Sequence, residues 1–136
     1  MVLKKNDIWR VCIDFNDLNE SCLKDCFSIP RIDQIVDATM GHKLLTFMDA
    51  YSGYNQIPMY PLDSEKTTFI THNGIYCYNV IPFGLKNAEA IYQRMVSWVF
   101  EPLIESAMEV YVDNMFVKSK ERIEHMQYLD EAFHLI

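Results

Sequence analysis

The chain has 136 residues, is 50% hydrophobic and 13% aromatic, and carries a net charge of −7. That length suits one domain or part of one, with enough apolar surface for a real core. The acidic balance argues against a general polyanion-binding surface, though not against a cleft where only the local field counts.

The charge is uneven. The first ten residues hold Lys4, Lys5 and Arg10 against one acid, Asp7, whereas from Glu101 onward eight acids face three bases. Any phosphate contact is therefore expected near the N-terminal end. No apolar run approaches the length of a membrane span, and the first residues lack the apolar core of a signal peptide, so an intracellular chain is expected. Among the four cysteines only Cys22 and Cys26 are close, and no His or Cys pair completes a zinc pattern. Free thiols are expected, and structural or surface roles for His42, His72, His125 and His134.

Trp9, Val11, Ile13 and Phe15 alternate with Arg10, Cys12 and Asp14, the pattern of a half-buried strand. Residues 16–29 read as polar and irregular. Pro30 suits the first turn of a helix with the stripe Ile32, Ile35 and Val36, Asp33 near its positive end and Gly41 as its stop. Residues 43–49 read as a strand ending in the carboxylate of Asp49, and 50–54 as a tight turn or short helix. Pro58 and Pro61 break the next stretch. Strands over 67–71 and 75–80 flank His72-Asn73-Gly74, and Asn-Gly between β runs is a strong hairpin signal.

A helix follows from an N-cap at Asn87, with Ala90, Ile91, Met95, Val99, Phe100 and Leu103 as its apolar stripe. Residues 109–118 set two apolar, β-branched runs around Asp113-Asn114. This predicts a hairpin with the Asp-Asn pair in its turn, since both tolerate positive φ. A last helix starts near Glu121 and is expected to bury Ile123, Met126, Tyr128, Leu129, Ala132, Phe133 and Ile136.

A turn of this kind can be purely structural. The strand that stops at Asp49 adds a second acid. A carboxylate at a strand end, brought beside one in a hairpin, makes a hard-oxygen site for Mg²⁺. Two such ions can clamp the attacking and leaving oxygens of a phosphoryl transfer.

Three segments carry a resemblance: Phe47-Met48-Asp49-Ala50-Tyr51-Ser52-Gly53-Tyr54, Val80-Ile81-Pro82-Phe83-Gly84-Leu85-Lys86-Asn87-Ala88, and Tyr111-Val112-Asp113-Asn114. In order and spacing they resemble a reverse transcriptase, most closely those of gypsy-type LTR retrotransposons, plant elements especially. The resemblance spans nearly the whole chain. It implies an α+β fold, a reverse-transcriptase palm with partial fingers, whose antiparallel sheet is backed by helices. Residues 1–136 would be a fragment of that domain, without thumb or RNase H. The implied activity is RNA-directed DNA polymerase, a two-metal transfer from dNTP to a primer 3′-hydroxyl. The implied partners are an RNA or DNA template with primer, dNTP and the remainder of a Pol polyprotein, with no membrane. The family works in cytoplasmic particles.

The resemblance also implies roles. Asp49 and Asp113 would hold two Mg²⁺ ions, for which Mn²⁺ substitutes, and the Ala50 carbonyl would reach one. Arg10 and Lys5, or its neighbour Lys4, would bind the triphosphate; for Arg10 without the resemblance a solvated strand face is the preferred reading. Tyr54 would pack under the sugar as a gate against a 2′-hydroxyl, its alternative being ordinary core filling. Phe83 would lie near the incoming nucleotide, and Gly84 would let backbone approach nucleic acid. Asn114 stands where the family has a second Asp. It keeps the shape and loses a charge, so little or no polymerase activity is expected of this copy. The alternatives are a non-catalytic retroelement relic and a nucleic-acid-binding module, the second disfavoured by the net charge.

Overall fold

The computed structural model describes residues 2–3 and 9–136, with side chains from Val11 onward. In chain order the elements are β1 (Val2–Leu3), β2 (Trp9–Arg10), α1 (Asn16–Ser21), α2 (Ile32–Thr39), β3 (Leu44–Asp49), α3 (Pro61–Ser64), β4 (Phe69–Thr71), β5 (Gly74–Tyr76), α4 (Ala88–Val99), β6 (Met108–Tyr111), β7 (Asn114–Ser119) and α5 (Arg122–Leu135). Short 3₁₀ turns cover Gly53–Gln56 and Glu65–Thr67. The fold is α+β, with antiparallel sheets and helices in two compact units. One comprises Met1–Lys24 and Tyr54–Ala88, the other Asp25–Gly53 and Glu89–Ile136.

In the first unit β1 and β2 pair antiparallel, Val2 with Arg10 and Leu3 with Trp9. The strand expected over 9–15 is confined to Trp9–Arg10, where that ladder ends. Helix α1 corrects the irregular reading of 16–29. It buries none of its residues and is built from Asn, Asp, Glu and Ser around one Leu, so no apolar stripe announces it. Asn19 of α1 donates to the Gly84 carbonyl at 2.8 Å and accepts from the Lys86 amide at 2.8 Å. Lys86 Nζ donates to the Asn19 and Cys22 carbonyls in turn. Pro61 opens α3 rather than merely breaking the chain, because a missing N–H costs nothing in a first turn. The β4–β5 hairpin forms where expected but is shorter than the strands read over 67–71 and 75–80: Phe69–Thr71 pairs with Gly74–Tyr76, Thr71 opposite Gly74 and His72-Asn73 as the turn, while Thr67 lies in a 3₁₀ turn.

The second unit is built on a three-stranded sheet in the order β3-β7-β6. Thr46, Met115, Val117, Ser119, Met108 and Val110 share one face by register. Helix α5 packs there, and its buried His125 bonds Thr46 Oγ1 and Ser119 Oγ, both at 2.8 Å. The opposite face carries Asp49, Asn114, Phe116, Lys118 and Glu109. Lys118, with its side chain 4% exposed, donates to Glu109 at 2.6 Å and to the Ala38 carbonyl of α2 at 3.1 Å.

Three helix readings change. Pro30 lies outside α2, whose N-cap is Arg31, and Ile35 is buried while Ile32 and Val36 are exposed. Helix α4 buries Tyr92, Gln93 and Val96 with Ala90 and Phe100, a face turned from the expected one, and Ile91, Met95 and Val99 are half-buried. Helix α5 leaves Ile123, Met126, Phe133 and Ile136 exposed and buries His125 and Ala132.

Candidate functional site

Strand register brings the acids together. β3 and β7 pair from Leu44 opposite Ser119 to Asp49 opposite Asn114, so the last residue of β3 faces the first of β7. β6 and β7 close at Tyr111 opposite Asn114. The turn pair is therefore Val112-Asp113, which corrects the expectation of Asp113-Asn114. The residue with positive φ is Val112, at 53°. A β-branched residue rarely adopts that conformation, and it persists only where its surroundings impose it.

Gln93 supplies the imposing contacts. It is 2% exposed. Its Oε1 accepts from the Val112 amide at 2.6 Å, and its Nε2 donates to the Val110 carbonyl at 3.1 Å. Sequence reasoning missed it. The available signal was a polar residue three places from both Ala90 and Val96, inside the stripe of α4.

Asp49 and Asn114 are exposed and Asp113 is half-buried. Asn114 Nδ2 donates to Asp113 Oδ1 at 3.3 Å. Burial pushes the Tyr92 phenol above its ordinary pKa, and the charges of Asp113 and then Asp49 push the same way. Both carboxylates thus act on one hydroxyl. The Gly53 backbone lies against that ring. A Cβ there would stand 2.6 Å from the Tyr92 hydroxyl and 2.7 Å from ring carbons, so this close approach requires glycine.

Asp49 and Asp113 supply the carboxylates at this strand end, and Ala50 follows Asp49 in the chain. Among the described residues no group of three or more His, Cys, Asp or Glu is gathered for a metal. Two carboxylates match the way Mg²⁺ is bound when water and phosphate oxygens complete its shell.

In the first unit Tyr54 is buried and Phe83 exposed, and their rings meet edge-to-face at 4.9 Å. Gly84 has φ +98°, and a Cβ there would meet nothing nearer than Phe15 at 3.6 Å, so conformation rather than crowding favours glycine. Lys5 and Lys4 lie outside the described residues, and of Arg10 only the place in β2 is described. No helix among the described residues is long and apolar enough to cross a membrane.

The family model described as "Reverse transcriptase (RNA-dependent DNA polymerase)" matches residues 2–136. The Pol polyprotein of the transposon gypsy, from Drosophila melanogaster, is 36% identical over 121 residues, which are 89% of this chain and 12% of that protein. An RNA-directed DNA polymerase homolog from Oenothera berteroana is 31% identical over 129 residues, covering 90% of this chain and 91% of that one. The prototype foamy virus protease-reverse transcriptase superposes with a TM-score of 0.85 at 24% identity, over 98% of this chain and 18% of that one. A foamy viral protease-reverse transcriptase in complex with an RNA/DNA hybrid gives 0.88 at 19% identity, with the same coverages. At such identities the structural likeness carries the fold alone. The chain spans about an eighth of the length of the gypsy polyprotein.

Proposed function

The chain belongs to the reverse transcriptase family, and from that premise we propose that residues 1–136 are the palm and part of the fingers of a gypsy-type RNA-directed DNA polymerase. One observation carries the reading. The register of β3 against β7 sets Asp49 opposite Asn114, the residue that follows Asp113, at the mouth of the hairpin. Hairpin chemistry alone would not need an acid at the end of a third strand.

The donors fit Mg²⁺ or Mn²⁺, which Asp49, Asp113 and the Ala50 carbonyl would hold. When bound, such ions neutralise charge developing on the transferred phosphate and activate the primer hydroxyl. The remaining work is positional. Arg10, with Lys5, takes phosphate oxygens, a task suited to a planar guanidinium fork. Tyr54, packed on Phe83, presents a ring that leaves no room for a 2′-hydroxyl. Phe83 adjoins the incoming nucleotide, and Gly84 admits the nucleic-acid backbone. The partners are dNTP and a primer–template, a reading supported by foamy viral neighbours in complex with an RNA/DNA hybrid or dsDNA.

Asn114 favours a second reading, an impaired or relic copy. Its amide nitrogen is turned to Asp113, where a carboxylate would add negative charge. Losing a charged partner at such a cleft costs several kcal/mol, a rate loss of roughly 10²–10⁴. Calorimetric titration of this chain and of Asn114→Asp with Mn²⁺ tests both readings. Binding by Asn114→Asp alone marks Asn114 as the lesion in an otherwise competent palm. Equal binding by both overturns that account of Asn114. Binding by neither overturns the metal reading for this chain. Rapid Mg²⁺-dependent primer extension by an intact element carrying Asn114 would refute the impairment.

A further inference from the structure

We infer that Gln93 is a positioning residue for Asp113, acting as a latch that holds the strained Val112 turn and so aims the neighbouring carboxylate. This deepens the metal reading above and rests on it. Val112 has φ 53°, and nothing in its own side chain favours that backbone. A two-residue turn normally gains positive φ from Asn, Asp or Gly at its first position. Here the conformation is imposed from α4. Both ends of the Gln93 amide are committed to the hairpin, one to the Val112 N–H and one to the Val110 carbonyl. Val110 and Val112 are buried, so both backbone groups would lose their partner without water to replace it.

The arrangement explains why a buried amide stands where an aliphatic residue would pack as well. It fixes the Tyr111–Val112 peptide, the one before the peptide that carries Asp113, against a helix of the same unit. Relaxation of Val112 to an ordinary φ would rotate the following Val112–Asp113 peptide and swing Asp113 away from the end of β3.

The test is a double-mutant cycle on this chain: Gln93→Met, which keeps the volume, Val112→Gly, which adopts positive φ without strain, and the pair together. Two quantities are read, amide hydrogen exchange at residue 112 and Mn²⁺ affinity by calorimetry, with thermal melts as a check on folding. Gln93→Met is expected to speed exchange at Val112 by about tenfold, and to weaken Mn²⁺ binding by a similar factor. In the Val112→Gly background the same substitution should change Mn²⁺ affinity by less than about twofold, because glycine holds the turn unaided. Plain core packing by Gln93 predicts equal losses in both backgrounds and would overturn the latch. So would unchanged exchange at Val112 in a folded Gln93→Met chain. If the unsubstituted chain binds no Mn²⁺, the cycle is run in the Asn114→Asp chain. If that also fails to bind, the metal reading falls and the aiming of a metal ligand falls with it, while the exchange data alone decide whether Gln93 holds the turn.

Discussion

Among the described residues two tight β-hairpins, β4–β5 and β6–β7, are made by opposite means. The β4–β5 hairpin turns at His72-Asn73 and reaches Gly74, residues that bend readily. Thr71 completes it locally, accepting from the Asn73 amide at 3.1 Å and donating to the Gly74 carbonyl at 3.2 Å. Its strand residues Ile70, Ile75 and Tyr76 are exposed. The β6–β7 hairpin turns at Val112-Asp113, against local preference, and is held by Gln93 from another element. Its second strand is the centre of a sheet and is buried from Met115 to Ser119. A turn written into its own residues can form anywhere. A turn imposed by tertiary contacts forms only once its partner, here Gln93 of α4, is in place, and that turn carries Asp113.

The sharpest break of this contrast is a charge in each hairpin. Val117 is 0% exposed and paired on both sides, so Val117→Asp buries an unpartnered carboxylate. It should cost more than about 4 kcal/mol, read as loss of the cooperative urea transition. Ile75→Asp, at a residue 71% exposed, should stay within about 0.5 kcal/mol. A smaller effect comes from the buried pair on the far face of the same sheet. Glu109→Ala leaves Lys118 Nζ with the Ala38 carbonyl and should cost about 3 kcal/mol in the same assay. Adding Lys118→Met should recover most of it; no recovery would show that the charge pair is not the source.

The smallest effect is a pH dependence. The Tyr92 phenol has a raised folded pKa, so both states keep the proton below the ordinary tyrosine range. Above that range the unfolded chain ionises first, and stability falls with rising pH until the folded phenol ionises too. Tyr92→Phe should flatten this alkaline loss. Asp113→Asn or Asp49→Asn should move the phenol down, read as phenolate absorbance relative to Tyr92→Phe. An unmoved phenol would separate the carboxylates from the ring.

Legibility in the sequence followed the same divide. The strand to Asp49, both hairpins and the start of the last helix could be read because period-two alternation and turn residues are local signals. The turn pair was displaced by one residue, since Asp and Asn are better turn formers than Val and nothing local reveals the amide of Gln93. The buried face of α5 was misread for a related reason. His125 is inside because Thr46 of β3 and Ser119 of β7 meet both ring nitrogens, while Ile123, Met126 and Phe133 meet no such neighbours. Partners remote in sequence decide those positions, and hydrophobicity alone cannot rank them. Asp49 and Asp113 were legible as chemistry only because three motifs stand in a known order.

Asp49 and Asn114 lie about 65 residues apart in the chain, yet they are direct cross-strand neighbours. β6, β7 and the helix α4 that holds their turn are close in the chain, whereas docking β3 beside them must close a longer loop and lose its entropy before any contact rewards it. The carboxylates therefore meet late in folding, after the hairpin exists. During synthesis the Asp49 strand emerges well before the segment that completes it, and spends that interval with an unpaired edge and with Leu44 and Met48, half-buried in the folded sheet, uncovered. The same pairing that assembles the acids thus makes the nascent chain most prone to association just before β3 is paired.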